Sequence, residues 1–234
     1  MRLALFLFSI LPAFAVTTVV QSTGAYTESN TTQSVSFGSL PTVGNVVLWA
    51  CGNENSSTAA TVSDNQSNSY SVTASSEQFG ISMAVGWALV STSSGTFTVT
   101  CAANAFTGKI YLYIIEITGM NSSPVDVFAI ATGASGGGTS FGSGTTSTRT
   151  QANDVLFGVF FTNSLTSSAG AGYSGFTATT GTTYMIGFET QTVSAVGTDE
   201  ATITTGSFKA ASVAVIAIKD AGGGGARRRL AVIQ

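Results

Sequence analysis

The amino-acid sequence predicts an all-β protein built as an antiparallel sandwich, and three observations lead to that prediction. Strand-like runs rich in β-branched and aromatic residues recur along the chain, separated by clusters of Gly, Ser and Asn. No segment shows the apolar period of a helix. Hydrophobic residues make up 44% of the chain and charged residues only 8%, so the chain can bury a core and is not disordered.

The strand-like segments are short and evenly spaced, which is typical of a sandwich or a barrel. We favour a sandwich of two antiparallel sheets. The candidate strands are residues 32–37, 46–51, 69–74, 81–90, 95–101, 110–118, 126–132, 142–150, 154–161, 184–192, 200–204 and 212–218.

Two of these segments, residues 110–115 and 155–161, are apolar on both alternating sides. A strand with one side in water alternates apolar and polar residues, as residues 95–101 do. The doubly apolar segments therefore predict central strands. We expect the opposite sheet to cover one side of them, and loops or a partner to cover the other. The Gly-rich residues 134–140 and 164–175 predict flexible loops.

The chain divides into three parts by composition. Residues 1–15 have the positive start, apolar run and Ala-Phe-Ala ending of a signal peptide, and the run is too short to span a bilayer. A buried first strand or an uncleaved anchor is the alternative. Residues 16–221 contain no linker-like stretch and predict one sandwich domain. The pattern therefore indicates a secreted protein or one on the extracellular surface.

Residues 222–234 form the third part, a Gly linker followed by a basic and hydrophobic tail. The tail is either a disordered terminus or a docking segment. Its last residues have strand propensity and could add to the sheet edge of a partner. Arg227, Arg228 and Arg229 would attract an acidic surface. Because the rest of the chain is acidic, self-assembly through the tail is one hypothesis.

The two cysteines, Cys51 and Cys101, each end a strand-like run and each lie on its apolar face. Export to an oxidising compartment predicts a disulfide between them, with two buried free thiols as the alternative. The chain contains no histidine that could activate a catalytic cysteine.

The absence of histidine excludes several classes of site. Ser-His-Asp and Cys-His catalysis and imidazole zinc sites all need that residue. No phosphate-binding loop of the Walker type is present. The net charge is −3, and residues 16–221 contain only four basic residues, so nucleic acid is an unexpected partner. No segment after residue 15 is long and apolar enough to predict a membrane span.

Carboxylate chemistry remains open, because glycoside hydrolysis needs only two acids that flank one bond. The candidates are Glu116, Asp126, Glu189 and Glu200. Glu116 shares its strand face with apolar residues, so it could be a partly buried acid. The alternative is a strand-end carboxylate that accepts hydrogen bonds from loop amides. We predict no enzyme and no obligatory cofactor.

Calcium is the one cofactor that the residues suggest. Asp64, Asn65 and Asn68 could supply oxygen ligands from a loop, although their spacing is not that of an EF-hand. The alternative is a turn in which the same side chains cap backbone amides.

Exposed aromatic rings could stack on a sugar. Tyr173 lies in a Gly-rich loop and is the better surface candidate, with Tyr70 as the second. Trp49 and Trp87 lie within strand runs and are expected in the core.

Several motifs resemble, in their order, a largely uncharacterised jelly-roll-like module of extracellular bacterial and phage proteins. Residues 64–70 are similar to its D-x-x-G-N-x-Y turn, with Ser67 where Gly is usual. Residues 116–119 and 124–126 match its E-x-x-G and P-x-D steps, and residues 152–156 match its A-N-D strand entry. The last strand, residues 212–219, has the same basic end. The resemblance covers most of residues 16–221 and implies a jelly-roll-like fold and an extracellular context, with no settled ligand or reaction.

The favoured function is a non-catalytic surface or appendage module with a structural or adhesive role, which contacts a surface glycan or another protein. A carbohydrate-binding module and a carboxylate-based glycosidase or lyase are the alternatives. A groove with coplanar exposed aromatic rings would favour carbohydrate binding, whereas a smooth Ser/Thr face would favour the surface module.

Overall fold

The computed structural model describes residues 17–54, 60–103, 108–134, 139–206 and 209–221. The predicted signal peptide and the predicted linker and tail, residues 222–234, lie outside the described residues. All regular elements in the described part are β-strands, and none of it is a helix that could cross a membrane.

The first eight strands form two sheets, which we call the first half (residues 17–118). A five-stranded inner sheet has the order β1-β8-β3-β6-β5, and a three-stranded outer sheet has the order β2-β7-β4. The strands are β1 (Thr18–Asn30), β2 (Thr32–Ser36), β3 (Val46–Glu54), β4 (Ala60–Asp64), β5 (Tyr70–Gln78), β6 (Ile81–Leu89), β7 (Thr98–Ala103) and β8 (Gly108–Thr118).

The next eight strands form the second half (residues 120–221) in the same way. Its inner sheet has the order β9-β16-β11-β14-β13 and its outer sheet the order β10-β15-β12. The strands are β9 (Met120–Ala134), β10 (Ser140–Gly142), β11 (Asp154–Thr162), β12 (Ser167–Ala169), β13 (Ser174–Thr180), β14 (Met185–Val193), β15 (Thr202–Thr205) and β16 (Ala210–Asp220).

The two halves are structural repeats of each other. Adding eight to each strand number of the first half gives the strand order of the second half in both sheets. Each half has jelly-roll order, except that its fifth strand pairs with the sixth on the inner sheet. The registers also correspond: Val46 pairs with Ile117 in the first half, and Val155 pairs with Ile218 in the second.

The four sheets stack as outer, inner, inner, outer, with one apolar core in each of the three spaces between them. The predicted class, an all-β antiparallel sandwich, is confirmed. The number of sheets is four and not the predicted two. The reason is that β3, β8, β11 and β16 carry apolar residues on both faces, and each face needs its own covering layer. The partner that covers the second face is the other half of the same chain.

The shared core between the two inner sheets is rich in aromatic rings. Tyr111 of β8 packs against Phe161 of β11 and against Tyr184, with ring centroids 5.4 and 6.0 Å apart. Gly52 makes room for this cluster, since a Cβ atom there would lie 2.4 Å from Cγ of Phe161. The halves also meet through polar pairs, such as the hydrogen bond of 2.6 Å between Ser76 and Thr132.

The predicted disulfide is confirmed: Cys51 of β3 is bonded to Cys101 of β7. It ties the inner sheet of the first half to the outer sheet through the core between them. At the corresponding places the second half has Phe160 and Ile203, which pack in its own core. The second half thus uses apolar contact where the first half uses a covalent bond.

The prediction of a strand over residues 142–150 is wrong. A short strand ends at Gly142, and the following residues have no regular structure. Their backbone is held instead by isolated hydrogen bonds, from Ser143 N to Ala201 O, from Thr146 N to Asp199 O and from Arg149 N to Gly197 O. The predicted loop at residues 164–175 likewise contains β12 and the start of β13.

Candidate functional site

The outer sheet of the first half presents a face of hydroxyl groups, which we call the hydroxyl face. Alternation turns Val35, Val99 and Cys101 toward the core, so their neighbours point outward. The outward side chains of the three strands are all Ser or Thr, apart from Ala102, and none is charged. They are Thr32, Ser34, Ser36, Thr61, Ser63, Thr98 and Thr100.

Cross-strand hydrogen bonds order the hydroxyl face. Ser34 pairs with Thr100, and Ser36 pairs with Thr98, each with 2.8 Å between the hydroxyl oxygens. Thr100 lies between Ser34 and Ser63 in register, so this row crosses all three strands. β-Branched Thr is stiff at χ1, and the paired hydroxyls therefore hold fixed directions. Each hydroxyl can still donate or accept a further hydrogen bond.

The outer sheet of the second half is a smaller version of the same surface. Ser140, Thr204 and Ser168 are aligned across its three strands. Glu200 interrupts this surface, since its carboxylate lies over Gly142, where a Cβ atom would be 2.1 Å from Oε1. The hydroxyl face of the first half is therefore the larger and smoother of the two.

Two concave sites are also lined by polar groups. A cleft of about 260 Å³ lies beside the end of β3 and the β5–β6 pair, and Asn53, Ser75, Ser76, Glu77 and Ser82 line it. Ser82 donates a hydrogen bond of 2.8 Å to the buried Oδ1 of Asn53. A second cleft of about 330 Å³ is lined by Lys209 and by hydroxyl groups such as Thr166 and Thr182. Neither cleft is lined by an aromatic ring or by two carboxylates.

The two tyrosines predicted to contact a ligand are both half-buried. Tyr70 packs against the core of the first half and donates a hydrogen bond of 3.0 Å to Asp64. Burial, and then the neighbouring Asp64 carboxylate, raise the pKa of the Tyr70 hydroxyl. Tyr173 packs against the core of the second half, and its hydroxyl lies 3.4 Å from the carbonyl oxygen of Glu200. Neither ring forms a flat exposed platform.

The residues predicted to bind calcium form a hydrogen-bonded turn. Oδ1 of Asp64 accepts from the backbone of Gln66 and Asn68, and Oδ2 accepts from Asn68 Nδ2 and the Tyr70 hydroxyl. Oδ1 of Asn65 accepts from Thr98 N. Each of these oxygens already has a protein donor, which favours the turn interpretation. Calcium at Asp64 stays a prediction, and a bound ion would have to displace these donors.

Ser67 closes the same turn with a φ of 63°, in the left-handed region that favours glycine. This is the position at which the resembled module has Gly. On the other side of the turn, Oδ1 of Asn68 accepts hydrogen bonds from Ser91 N and Thr92 N. The turn thus fixes the loop that leads toward β7 and the hydroxyl face.

Glu116 is buried, with 1% of its surface exposed, at the end of β8. Oε1 accepts hydrogen bonds from Thr42 N at 2.8 Å and from Asn45 Nδ2 at 2.6 Å, and Oε2 accepts one from Gln21 Nε2 at 2.7 Å. This is the arrangement of a strand-end carboxylate that accepts from loop amides. Glu116 thus joins β1, the loop before β3 and β8.

Glu189 is also buried, with 0% exposed, and it points into the core of the second half. Oε2 accepts a hydrogen bond of 2.9 Å from Gly170 N, whereas Oε1 has no partner among the described residues. Gly158 lies directly opposite, and a Cβ atom there would come within 2.7 Å of the Glu189 side chain. Burial raises the pKa of Glu189 to about 7, and the Gly170 hydrogen bond only partly opposes this.

Glu189 makes the stability of the protein depend on pH. Because its pKa is higher in the folded chain than the ordinary value of 4.5, the folded state binds the proton more tightly. Its contribution is therefore lost as pH rises from about 4.5 to about 7. We expect the free energy of unfolding to be about 2 kcal/mol lower at pH 7.5 than at pH 5 on account of this group. Urea unfolding at both pH values measures it.

The Glu189→Gln variant isolates the effect, since the amide keeps an acceptor for Gly170 and carries no charge. The difference in the free energy of unfolding between pH 5 and pH 7.5 should be smaller in this variant than in the unaltered chain. The matched control is Glu77→Gln on an exposed position of β5, which should leave the difference unchanged. An equal pH dependence in Glu189→Gln and in the unaltered chain would contradict the prediction.

The structure also shows polar residues that the sequence alone did not single out. Arg149 is buried and its Nε lies 2.6 Å from Oδ2 of Asp199. Asp154 is buried beside Asp126, one of the predicted acids. Burial raises the pKa of Asp154 to about 6. The A-N-D motif contained the signal for Asp154, but nothing in the local sequence showed that it would be buried.

Comparison of the chain with family models, with curated proteins and with solved structures gives no match. The site is therefore interpreted from its own geometry. Of the predicted residues, the structure brings Asp64, Asn68 and Tyr70 together in one turn, and Cys51 and Cys101 into one bond. Tyr173 lies in the other half of the chain. Arg227, Arg228 and Arg229 lie outside the described residues.

Proposed function

We propose that this protein is a non-catalytic surface module that adheres to a polar surface, a glycan or another protein, through its hydroxyl face. The observation that carries the proposal is the uncharged set of Ser and Thr side chains, interrupted only by Ala102, on the outer sheet of the first half. Rigid hydroxyls can form many weak hydrogen bonds at once, and such contacts add by multivalency rather than by one deep pocket. The lack of charge makes this contact only weakly dependent on salt.

An extracellular location is part of the same proposal. The signal-like residues 1–15 support it, and the Cys51–Cys101 disulfide agrees with an oxidising compartment. The resemblance to a module of extracellular bacterial and phage proteins supports it as well. The half-buried state of Tyr70 and Tyr173 favours adhesion through hydroxyls over stacking on aromatic rings.

A lysine in the centre of the hydroxyl face tests the proposal. The purified chain is first screened on a glycan array and on protein-coated surfaces, and the strongest interaction is then titrated. We expect Thr100→Lys to weaken it at least 10-fold, because the long charged side chain breaks the row formed with Ser34 and Ser63. This loss corresponds to about 1.4 kcal/mol.

The matched control is Thr204→Lys, at the centre of the outer sheet of the second half. It adds the same charge to the same kind of strand and should leave binding unchanged. If both variants bind as the unaltered chain does, the hydroxyl face is not the contact surface. Absence of saturable binding to every glycan and protein tested would contradict an adhesive role.

A carbohydrate-binding module is the second candidate, favoured by the polar cleft beside Asn53. Its volume of about 260 Å³ is near the lower end for small-molecule sites, and Glu77 and Ser82 offer hydrogen bonds to sugar hydroxyls. In this case Glu77→Ala would abolish glycan binding while Thr100→Lys would not. The opposite pattern is expected from the hydroxyl face.

A further inference from the structure

The cleft that contains Lys209, which we call the Lys209 cleft, is built by three separate segments of the second half. Residues 163–166 follow β11, residues 182–183 form the turn between β13 and β14, and Lys209 directly precedes β16. The cleft has a volume of about 330 Å³, which is at the lower end of the range for small-molecule sites. Its lining contains hydroxyl, amide and ammonium groups but no carboxylate.

Lys209 is the cation of this cleft, and no acidic side chain neutralises it. All eleven Asp and Glu residues of the chain lie within the described residues. The ion pairs found in that part of the chain use Lys109 or Arg149 as the cation, and none of them includes Lys209. Lys209 is partly buried, and an ammonium group carries three hydrogen-bond donors. These donors therefore remain available to a ligand.

Asn163 adds a second donor beside Lys209. Its Oδ1 accepts a hydrogen bond of 2.8 Å from Ala210 N, and its own N–H donates to Ala210 O at 3.2 Å. The first of these bonds identifies the amide oxygen, so the other amide atom is Nδ2, which has no acceptor in the described part of the chain. Ala210 follows Lys209 directly. The two residues with unused donors are thus held next to each other.

The hydroxyl of Thr183 is a third donor, because Lys109 occupies its acceptor side. Lys109 Nζ donates to Thr183 Oγ1 at 2.9 Å, so the hydroxyl proton points elsewhere. Thr182 Oγ1 lies 3.4 Å away, which is longer than a normal bond between hydroxyls. Thr182 itself donates to Glu28 Oε1 at 2.9 Å. Lys109 Nζ is 3.9 Å from Oε2 of the same Glu28 and offsets its charge at the rim of the cleft.

We propose that the Lys209 cleft binds the carboxylate of an acidic sugar. An ammonium, an amide and a hydroxyl donor that have no protein acceptor suit the oxygens of a carboxylate, and charge-assisted hydrogen bonds are the strong ones. The cleft beside Asn53, in contrast, includes the carboxylate of Glu77 and would repel an anion.

The walls of the cleft favour a sugar over an acidic peptide as the carrier of the carboxylate. Thr166 and Thr182 offer hydroxyl groups to the hydroxyls of a sugar ring, and Leu165, which is 47% exposed, offers an apolar surface to its C–H groups. The small volume suits a single sugar unit. The site belongs to the second half and does not depend on the hydroxyl face of the first half.

Titration of the purified chain with sodium glucuronate, followed by 1H–15N NMR at neutral pH and constant ionic strength, tests this site. We expect saturable shifts of the Asn163 side-chain amide and of the Lys209 backbone amide. Glucose lacks the carboxylate and sodium sulfate lacks the ring, so each should bind about 10-fold more weakly or less. N-acetylaspartate, which carries a peptide-like carboxylate, should also bind more weakly than glucuronate.

An absence of saturable shifts at Asn163 and Lys209 with glucuronate would overturn the proposal. Glucose or sulfate that binds as tightly as glucuronate would overturn it as well, because the site would then recognise a ring or any small anion alone. Tighter binding of N-acetylaspartate would make the ligand an acidic peptide and would equally contradict an acidic sugar.

Lys209→Gln is the decisive variant, because it removes the charge and keeps a polar side chain of similar length. We expect it to weaken glucuronate binding about 10-fold or more. Lys219→Gln, a partly buried lysine near the other end of β16, is the matched control and should leave this binding unchanged. Thr100→Lys on the hydroxyl face should also leave it unchanged, which separates this site from the proposed adhesive surface. Equal binding in Lys209→Gln and the unaltered chain, or equal losses in both lysine variants, would overturn the proposal.

Discussion

Replacing both Cys51 and Cys101 by alanine is expected to lower the free energy of unfolding by about 4 kcal/mol. The bond closes a loop of 50 residues, and its loss frees that loop in the unfolded chain. This loss of stability should affect the first half, where the bond joins the inner sheet to the outer sheet that carries the hydroxyl face. Urea unfolding of the variant and of the unaltered chain measures it.

A Cys51→Val and Cys101→Val double variant separates the cross-link from its packing. Valine refills the space with apolar side chains, as Phe160 and Ile203 do in the second half. We expect this variant to remain less stable than the disulfide-bonded chain, though more stable than the alanine variant, which also leaves a cavity. Equal stability of the valine variant and the bonded chain would show that the bond itself adds nothing.

Arg149→Met is expected to lower the free energy of unfolding by roughly 3–5 kcal/mol, the range found when one partner of a buried ion pair is removed. Arg149 is 4% exposed, and it holds Asp199 and the carbonyl oxygens of Ala152 and Ala195. Removing the guanidinium leaves a buried Asp199 carboxylate without its counter-charge. The segments before β11 and before β15 would both lose their main connection.

A double-mutant cycle with Asp199→Asn tests this explanation. The loss in free energy of unfolding in the combined variant should be smaller than the sum of the losses in the two single variants, because no uncompensated charge is left. Arg149→Lys keeps the charge without the fork of donors, so an intermediate loss is expected. Additive losses in the cycle would show that Arg149 and Asp199 act independently.

Much of the fold could be predicted from local sequence patterns. β-Branched and aromatic runs identified strands such as β3, β6, β8, β11 and β16, because a strand in a packed sheet needs these side chains. Two strands were missed for different reasons: in the edge strand β1 the β-branched residues are mixed with polar ones and form no apolar run, and β12 has only three small residues. The repeat of the two halves was missed as well, because equivalent positions hold different residues, such as Cys51 and Phe160.

The candidate sites were predictable only as residue types. The sequence suggested that Asp64, Asn65 and Asn68 form either a turn or a calcium site, and it could not choose, because the choice depends on donors from residues 91–98. It suggested Tyr173 as an exposed ring, since its Gly-rich surroundings resemble a loop. The ring packs instead on a core whose other side chains come from distant strands.

By itself the sequence determined the all-β class, the cross-linkable cysteines and the absence of histidine chemistry, because each depends on composition or on alternation within one strand. Only the tertiary structure decided that there are four sheets, that the outward Ser and Thr residues form one face, and that Asp126 lies beside Asp154. These features depend on which strands become neighbours. Pairing between strands distant in sequence follows from the burial of whole faces, and no local pattern encodes it.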